Sequence, residues 1–91
     1  MIIEMTEMIV VRNLEVSDEK YWRRFNYDDG LLYCSLLVID GVDDWRMPDV
    51  MSEVRLVARD TGRRELWGYY HNNTKYKDGS RMRWVIPVRY C

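Results

Sequence analysis

Apolar and polar residues alternate most clearly near the C-terminal end of the chain. The dipeptide Asp78-Gly79 is typical of a tight hairpin turn, and apolar side chains then occupy every second position from Met82 to Tyr90. The positions between them are largely basic. This period of two predicts a strand that packs one face on a core. Proline cannot donate to a strand ladder, so we expect the strand to be an edge, or bulged, at Pro87.

Two further segments predict strands from their composition. Residues 1–11 are rich in Ile, Val and Met, and the β-branched run at 9–11 favours a strand over a helix. Residues 31–39 form a nearly continuous apolar run between Gly30 and Asp40-Gly41. A short apolar run of this kind is typical of a central strand that is buried on both faces.

The segment 50–59 fits either a helix or a strand. Its apolar residues share a helical face, but part of the segment also alternates with a period of two. The turn-forming sequence Asp60-Thr61-Gly62 follows, and 65–70 is a plausible return strand. We therefore expect a β-hairpin here rather than a helix.

One helix is predicted near the start of the chain. Ser17 can cap free backbone N–H groups, and the acids Asp18 and Glu19 suit the positive end of a helix dipole. The aromatic residues that follow are spaced to lie on one side of a helix. We expect a short helix near residues 18–26, which ends in the turn Asp28-Asp29-Gly30.

These elements define a fold class. They predict a mainly β or α+β protein with an antiparallel sheet of about five strands, curled or barrel-like, and one short helix. The chain has 91 residues and shows no linker, repeat or low-complexity tract. We therefore expect a single domain over residues 1–91.

Charge is segregated along the chain although its total nearly cancels. The formal net charge is −1, which excludes a uniformly basic or acidic protein. Residues 1–52 carry 11 acids and five bases, a net of −6, whereas residues 53–91 carry nine bases and four acids, a net of +5. How these two halves pack decides whether a charged face exists.

The basic half also contains many aromatic residues, and this combination points to nucleic acid. Arginine binds phosphate in a bidentate way, and aromatic faces stack on unpaired bases. We expect a non-catalytic module that binds single-stranded RNA, or less favourably DNA, through a basic, aromatic C-terminal hairpin. The candidate contacts are Trp67, Tyr69, Tyr70, His71, Lys75, Tyr76, Lys77, Arg81, Arg83 and Arg89.

An alternative function is binding to a protein partner. A small inhibitor or adaptor, of the kind that phages encode, could use a free strand edge or an acidic loop. A tryptophan ringed by acids resembles an interface anchor. The candidate contacts are Asp40, Asp43, Asp44, Trp45 and Asp49.

A third hypothesis is a metal-independent ribonuclease. His71 is the one histidine, and either it or a tyrosine could act as a base while Arg81 or Arg83 stabilises charge on phosphorus. A lone histidine in a polar hairpin is more often a surface residue, so we do not expect an enzyme.

The sequence lacks the motifs of several other classes of protein. One histidine and two cysteines are too few for a structural zinc site, and no phosphate-binding loop or dinucleotide motif occurs, so no metal or cofactor is expected. No apolar run approaches the roughly 20 residues of a membrane-spanning helix. We expect a cytoplasmic protein with a buried Cys34, and a homodimer formed through its terminal strands.

Overall fold

The structure, a computed structural model, describes residues 14–72 and 79–90. Within them, two short strands are followed by two helices and then by two further strands, with 3-10 turns at Glu19–Tyr21 and Tyr69–His71. In chain order the strands and helices are β1 (Leu14–Val16), β2 (Arg23–Phe25), α1 (Tyr27–Leu36), α2 (Met51–Thr61), β3 (Arg83–Val85) and β4 (Val88–Tyr90).

The strands form two antiparallel pairs. The same two segments of the chain build both pairs, and the hydrogen-bonded ladder between them is interrupted in the middle. β1 pairs with β4 in a register that places Leu14 opposite Tyr90, and β2 pairs with β3 so that Phe25 lies opposite Arg83. Between the pairs, residues 17–22 leave the ladder, whereas the facing chain inserts only residues 86–87. We call residues 17–22 the excursion.

Backbone contacts hold the excursion in place. The N–H of Ser17 donates to the carbonyl of Pro87 at 3.0 Å, and the indole N–H of Trp22 donates to the carbonyl of Ser17 at 3.0 Å. The predicted interruption at Pro87 therefore lies where the C-terminal segment changes its partner strand. The missing N–H of proline costs no ladder bond at such a position.

The C-terminal segment lies in the middle of the pairing rather than at an edge. Val88 exchanges two backbone hydrogen bonds with Arg46, of 2.8 and 2.7 Å, on the side away from β1. In the same way Trp84 bonds to Glu65 and Trp67, at 2.8 and 2.9 Å, on the side away from β2. Both central strands are therefore bonded on two sides.

The apolar run at 31–39, predicted as a strand, lies mainly in helix α1. Asn26 caps this helix, since its side-chain oxygen accepts a hydrogen bond from the N–H of Asp29 at 2.8 Å. The helix buries Tyr27, Gly30 and Cys34 on one face, whereas two of its leucines stay exposed. These exposed leucines conceal the helical period.

The hairpin predicted for 50–59 and 65–70 is also wrong. Residues 51–61 form helix α2, which buries Val54 and Val57. Gly62 ends the helix with a φ of +70°, so the supposed hairpin turn is a left-handed helix cap. Segment 65–70 contributes a single parallel bridge at Leu66 and then enters the second 3-10 turn.

The helix predicted near residues 18–26 is a 3-10 turn followed by strand β2. Asp18 does act as a cap and accepts from the N–H of Lys20 at 3.1 Å, but the chain is extended again at Trp22. The α+β class is therefore confirmed. The described residues form four strands in two pairs and no closed barrel, instead of one curled sheet of five. The first predicted strand, residues 1–11, and Asp78 of the predicted turn lie outside the described residues.

Two apolar clusters flank the C-terminal strands. The first contains Tyr27, Cys34, Met47, Trp67 and Val85, and the second contains Val54, Val57, Leu66, Ile86 and Val88. Successive residues Val85 and Ile86 belong to different clusters, so this segment lies between the two. Within the described part of the chain, no helix has the length and apolar character needed to cross a membrane.

Candidate nucleic-acid interface

Trp67, a predicted stacking residue, lies in the core. It is 0% exposed, and its indole N–H donates to the carbonyl of Phe25 at 2.7 Å. The ring of Tyr27 packs edge-on against it at 5.4 Å. Trp67 therefore positions β2 and α1 and offers no face to a base.

The 3-10 turn that follows contains the next three predicted contacts, which differ in exposure. His71 is 5% exposed, and its Nδ1 accepts a hydrogen bond from the N–H of Gly68 at 3.1 Å. Burial lowers the pKa of His71, and the positive charge of Arg83 lowers it further. Tyr69 packs on the first cluster, while Tyr70 is 39% exposed and stacks on the His71 ring at 4.0 Å.

The predicted basic contact residues differ in their exposure and in their partners. Arg81 is exposed. Arg83 is half-buried and holds its guanidinium 5.0 Å from the centre of the Trp67 ring. Arg89 is committed to acids, as described below. Lys75, Tyr76 and Lys77 lie outside the described residues.

The acidic loop does not present the anchor expected of a protein interface. Trp45 is 7% exposed, so it belongs to the interior. Asp44 binds Arg89, and the hydrogen bond from Arg89 lowers the pKa of Asp44. Asp40, Asp43 and Asp49 remain exposed.

The acidic and basic halves of the chain meet in the fold. Arg89 binds Asp44 and Glu15, at 2.6 and 2.9 Å. Arg63 binds Glu19 at 2.7 Å. The segregation seen in the sequence is thus partly neutralised, and a charged surface must come from arginines outside these pairs.

One surface brings arginine and tryptophan together in alternation. The guanidinium of Arg63 lies 5.2 Å from the centre of the Trp22 ring and 5.0 Å from that of Trp84. The guanidinium of Arg24 lies 5.6 Å from the Trp84 ring. All three distances fall within the range of cation–π attraction. We call these four residues the Arg–Trp face.

Three separate parts of the chain build this face. The β2–β3 register places Arg24 directly opposite Trp84, so both side chains lie on the same side of the pair. The excursion supplies Trp22, whose ring is fixed by its bond to Ser17. Gly62 ends α2 in a left-handed conformation, and the turn in the chain there places Arg63 next to the two tryptophans.

The core fixes the two indoles from behind. Trp22 and Trp84 are both half-buried and pack against the second cluster. Arg24 is exposed and donates to the carbonyl of Met82 at 3.2 Å. The face is therefore a rigid aromatic support that carries solvent-accessible guanidinium groups.

Sequence reasoning named none of the four members of this face as a contact. Trp22 and Arg24 were assigned to a helix in the acidic half, and Arg63 lay between a predicted turn and a predicted strand. Trp84 was seen only as the apolar side of a strand. A usable signal was present in the run Trp22-Arg23-Arg24, where an aromatic and two bases adjoin.

Comparisons with protein-family models, with curated proteins and with solved structures find no match for this chain.

Proposed function

We propose that the chain is a small non-catalytic module that binds single-stranded nucleic acid, RNA in preference to DNA, through the Arg–Trp face. The observation that carries this proposal is that the Arg63 guanidinium lies within cation–π distance of two rings, 5.2 Å from the centre of Trp22 and 5.0 Å from that of Trp84. The binding surface thus differs from the C-terminal hairpin expected from the sequence, although Trp84 belongs to both.

The chemistry of the face suits unpaired bases. Bases stack on indole rings and also on the flat surface of a guanidinium, and each base–aromatic stack contributes about 1 to 3 kcal/mol. Because Arg24 is exposed, a base can stack on its guanidinium or replace it on the Trp84 ring. The core fixes both indoles, so little side-chain freedom is lost when a base binds.

The charges around the face suit phosphates. Lys20 and Arg23 are exposed in the segment that also carries Trp22 and Arg24, and Arg23 is held by hydrogen bonds to the carbonyls of Lys20 and Trp22, at 2.6 and 2.9 Å. Arg81 is exposed near the start of β3. These bases add positive charge near the ends of the two strands that build the face, and such charge attracts a phosphate backbone. RNA is preferred because its loops and single strands offer unpaired bases of this kind.

The other two hypotheses receive less support from the geometry. The ribonuclease hypothesis depends on His71, which is buried and whose Nδ1 is engaged by Gly68, so it is poorly placed to act as a base. The protein-binding hypothesis loses its anchor with the burial of Trp45. Asp40, Asp43 and Asp49 alone give no feature that favours one partner.

The test is a binding titration at two salt concentrations. A labelled single-stranded RNA is titrated with the protein at about 50 mM and about 200 mM salt, and a duplex of the same sequence serves as a competitor. We expect salt-dependent binding that the duplex competes for poorly. The double variant Arg24→Gln/Arg63→Gln should weaken binding at low salt about tenfold or more and reduce the salt slope by about two.

Arg55→Gln/Arg59→Gln is the matched control, since it also removes two positive charges. Both arginines are exposed on α2, on the side of the helix away from Val54 and Val57, so their loss removes charge outside the face. The effect should be a small fraction of that of Arg24→Gln/Arg63→Gln. The proposal fails if no RNA binds at low salt, or if Arg55→Gln/Arg59→Gln weakens binding as much as Arg24→Gln/Arg63→Gln does.

A further inference from the structure

We infer that the carboxylate of Glu19 occupies the position of a nucleic-acid phosphate on Arg63, so that the excursion carries an internal competitor for the Arg–Trp face. This inference rests on the proposed function. Glu19 would then limit RNA binding, and Nη2 of Arg63 would be the atom that binds a phosphate oxygen.

The contact has the geometry of an anion site. Glu19 accepts a hydrogen bond from Nη2 of Arg63 at 2.7 Å, a distance typical of a charge-assisted bond. The guanidinium also lies 5.2 and 5.0 Å from the ring centres of Trp22 and Trp84, and it is the N–H at Nη2 that meets the anion. A phosphate oxygen is an anionic acceptor like a carboxylate oxygen, and it can take the same place.

Glu19 is held weakly enough to be displaced. Its side chain is 70% exposed, and that of Arg63 is 30% exposed. Ion pairs this accessible to water contribute little, because each charge is well solvated when the pair opens. Among the described residues, Arg63 is the donor that reaches this carboxylate.

The Arg46–Glu53 pair shows the contrast within the same molecule. Glu53 is 8% exposed and accepts bonds from Arg46, from the N–H of Asp49 and from the hydroxyl of Tyr90. Such a pair cannot open without the loss of a buried network. The Glu19 pair can open by rotation of one exposed side chain, while the hydrogen bonds donated by the Ser17 N–H and by the Trp22 indole remain in place.

The inference predicts that loss of the competitor strengthens binding. Glu19→Gln keeps the size of the side chain and removes its charge, so it should raise the affinity for single-stranded RNA about two- to fivefold, the range expected for a surface ion pair. Asp43→Asn removes one negative charge from another exposed segment, outside the excursion, and serves as the control for net charge. It should raise affinity less than Glu19→Gln.

A second background ties the effect to Arg63. In an Arg63→Gln protein the carboxylate has no guanidinium to cover, so Glu19→Gln should then change the affinity no more than Asp43→Asn does. Equal gains from Glu19→Gln in both backgrounds would overturn the inference, and so would equal gains from Glu19→Gln and Asp43→Asn.

The proposed function and this inference fail in different ways. If neither wild-type protein nor Glu19→Gln binds RNA at low salt, the proposed function is wrong. If the wild-type protein binds and Arg24→Gln/Arg63→Gln abolishes the binding, but Glu19→Gln gives no gain over Asp43→Asn, then only the competitor is disproved.

Discussion

Arg89 donates two hydrogen bonds to the carboxylate of Asp44, one of 2.6 Å from Nε and one of 3.2 Å from Nη2. Its remaining nitrogen donates to Glu15 at 2.9 Å. These contacts join β4 to β1 and to the acidic loop, and the hydrogen bonds that Arg89 donates to both acids raise its pKa. An arginine that the sequence suggested for phosphate binding thus holds the two charged halves of the chain together.

Arg89→Gln should therefore lower stability and leave RNA binding of the folded protein unchanged. The variant leaves Asp44 and Glu15 without the arginine that both of them bind, so the repulsion between the two carboxylates is no longer offset. The urea concentration at the midpoint of unfolding measures the loss of stability. A titration with RNA in the absence of urea measures the affinity of the folded protein. Arg64→Gln, at an exposed position, is the control and should shift the midpoint little. A large loss of affinity in a fully folded Arg89→Gln protein would contradict this account.

Glu53→Ala should cost about 3 kcal/mol of unfolding free energy, because it leaves Arg46 half-buried without its acid. The carboxylate joins the start of α2 to β4 through Tyr90, at 3.1 Å. Chemical denaturation measures the loss. The exposed acid variant Asp43→Asn should stay within about 0.5 kcal/mol of wild type. A loss under about 1 kcal/mol for Glu53→Ala would show that the network is not a stabilising element.

Glu53 also predicts a pH dependence. Burial alone would raise its pKa, but Arg46, the Asp49 amide and Tyr90 together hold the pKa below its ordinary value of 4.5. A depressed carboxyl pKa stabilises the fold at pH values above the unfolded pKa, and this contribution is lost as pH falls through the folded pKa. The stability of Glu53→Gln should accordingly fall less than that of wild type as the pH drops below about 4.5.

His71 should make the fold less stable in mild acid. Its folded pKa lies below the ordinary 6.5, so the unfolded chain binds a proton first as pH falls. Stability is full above 6.5, declines as pH falls below that value, and stops declining below the folded pKa. His71 is the only histidine, so its ring proton gives one NMR titration curve, whose midpoint should lie below 6.5. A midpoint at or above 6.5 would contradict the burial of the ring.

Gly30→Ala should destabilise the protein although alanine favours helices. A Cβ at Gly30 would lie 2.5 Å from Cε of Met47 and 2.8 Å from Cγ2 of Val85, both in the core. Overpacking of this kind costs about 1 to 3 kcal/mol, more than the gain in helix propensity of about 0.5 to 1 kcal/mol. Thermal unfolding measures the net loss. Gly79→Ala, where a Cβ would meet nothing within 4 Å, is the control.

The α+β class could be predicted from the sequence, but the type of several elements could not. The exposed Leu32 and Leu36 made residues 31–36 a nearly continuous apolar run, so the period of 3.6 was lost there. The cap at Asn26 was the local signal that could have revealed it. At α2, a glycine that ends a helix and a glycine in a hairpin turn share the left-handed conformation, so Gly62 fitted both structures.

The candidate site was harder to foresee, because it depends on tertiary pairing. Arg24 meets Trp84 only through the β2–β3 register. Arg63 reaches Trp22 only because the excursion leaves the ladder beside the end of α2. Local patterns report burial and turns, whereas this face joins residues that are far apart in the chain. The same reasoning explains why Trp67 appeared to be a contact residue: aromatic content alone does not separate core from surface.

The most direct test of the account is an NMR titration of the tryptophan indole N–H signals with single-stranded RNA. The chain has four tryptophans, and each gives one such signal. Binding at the Arg–Trp face should shift the signals of Trp22 and Trp84 and leave those of the buried Trp45 and Trp67 nearly unchanged. Larger shifts at Trp45 or Trp67 than at Trp22 and Trp84, or no shifts at low salt, would contradict it.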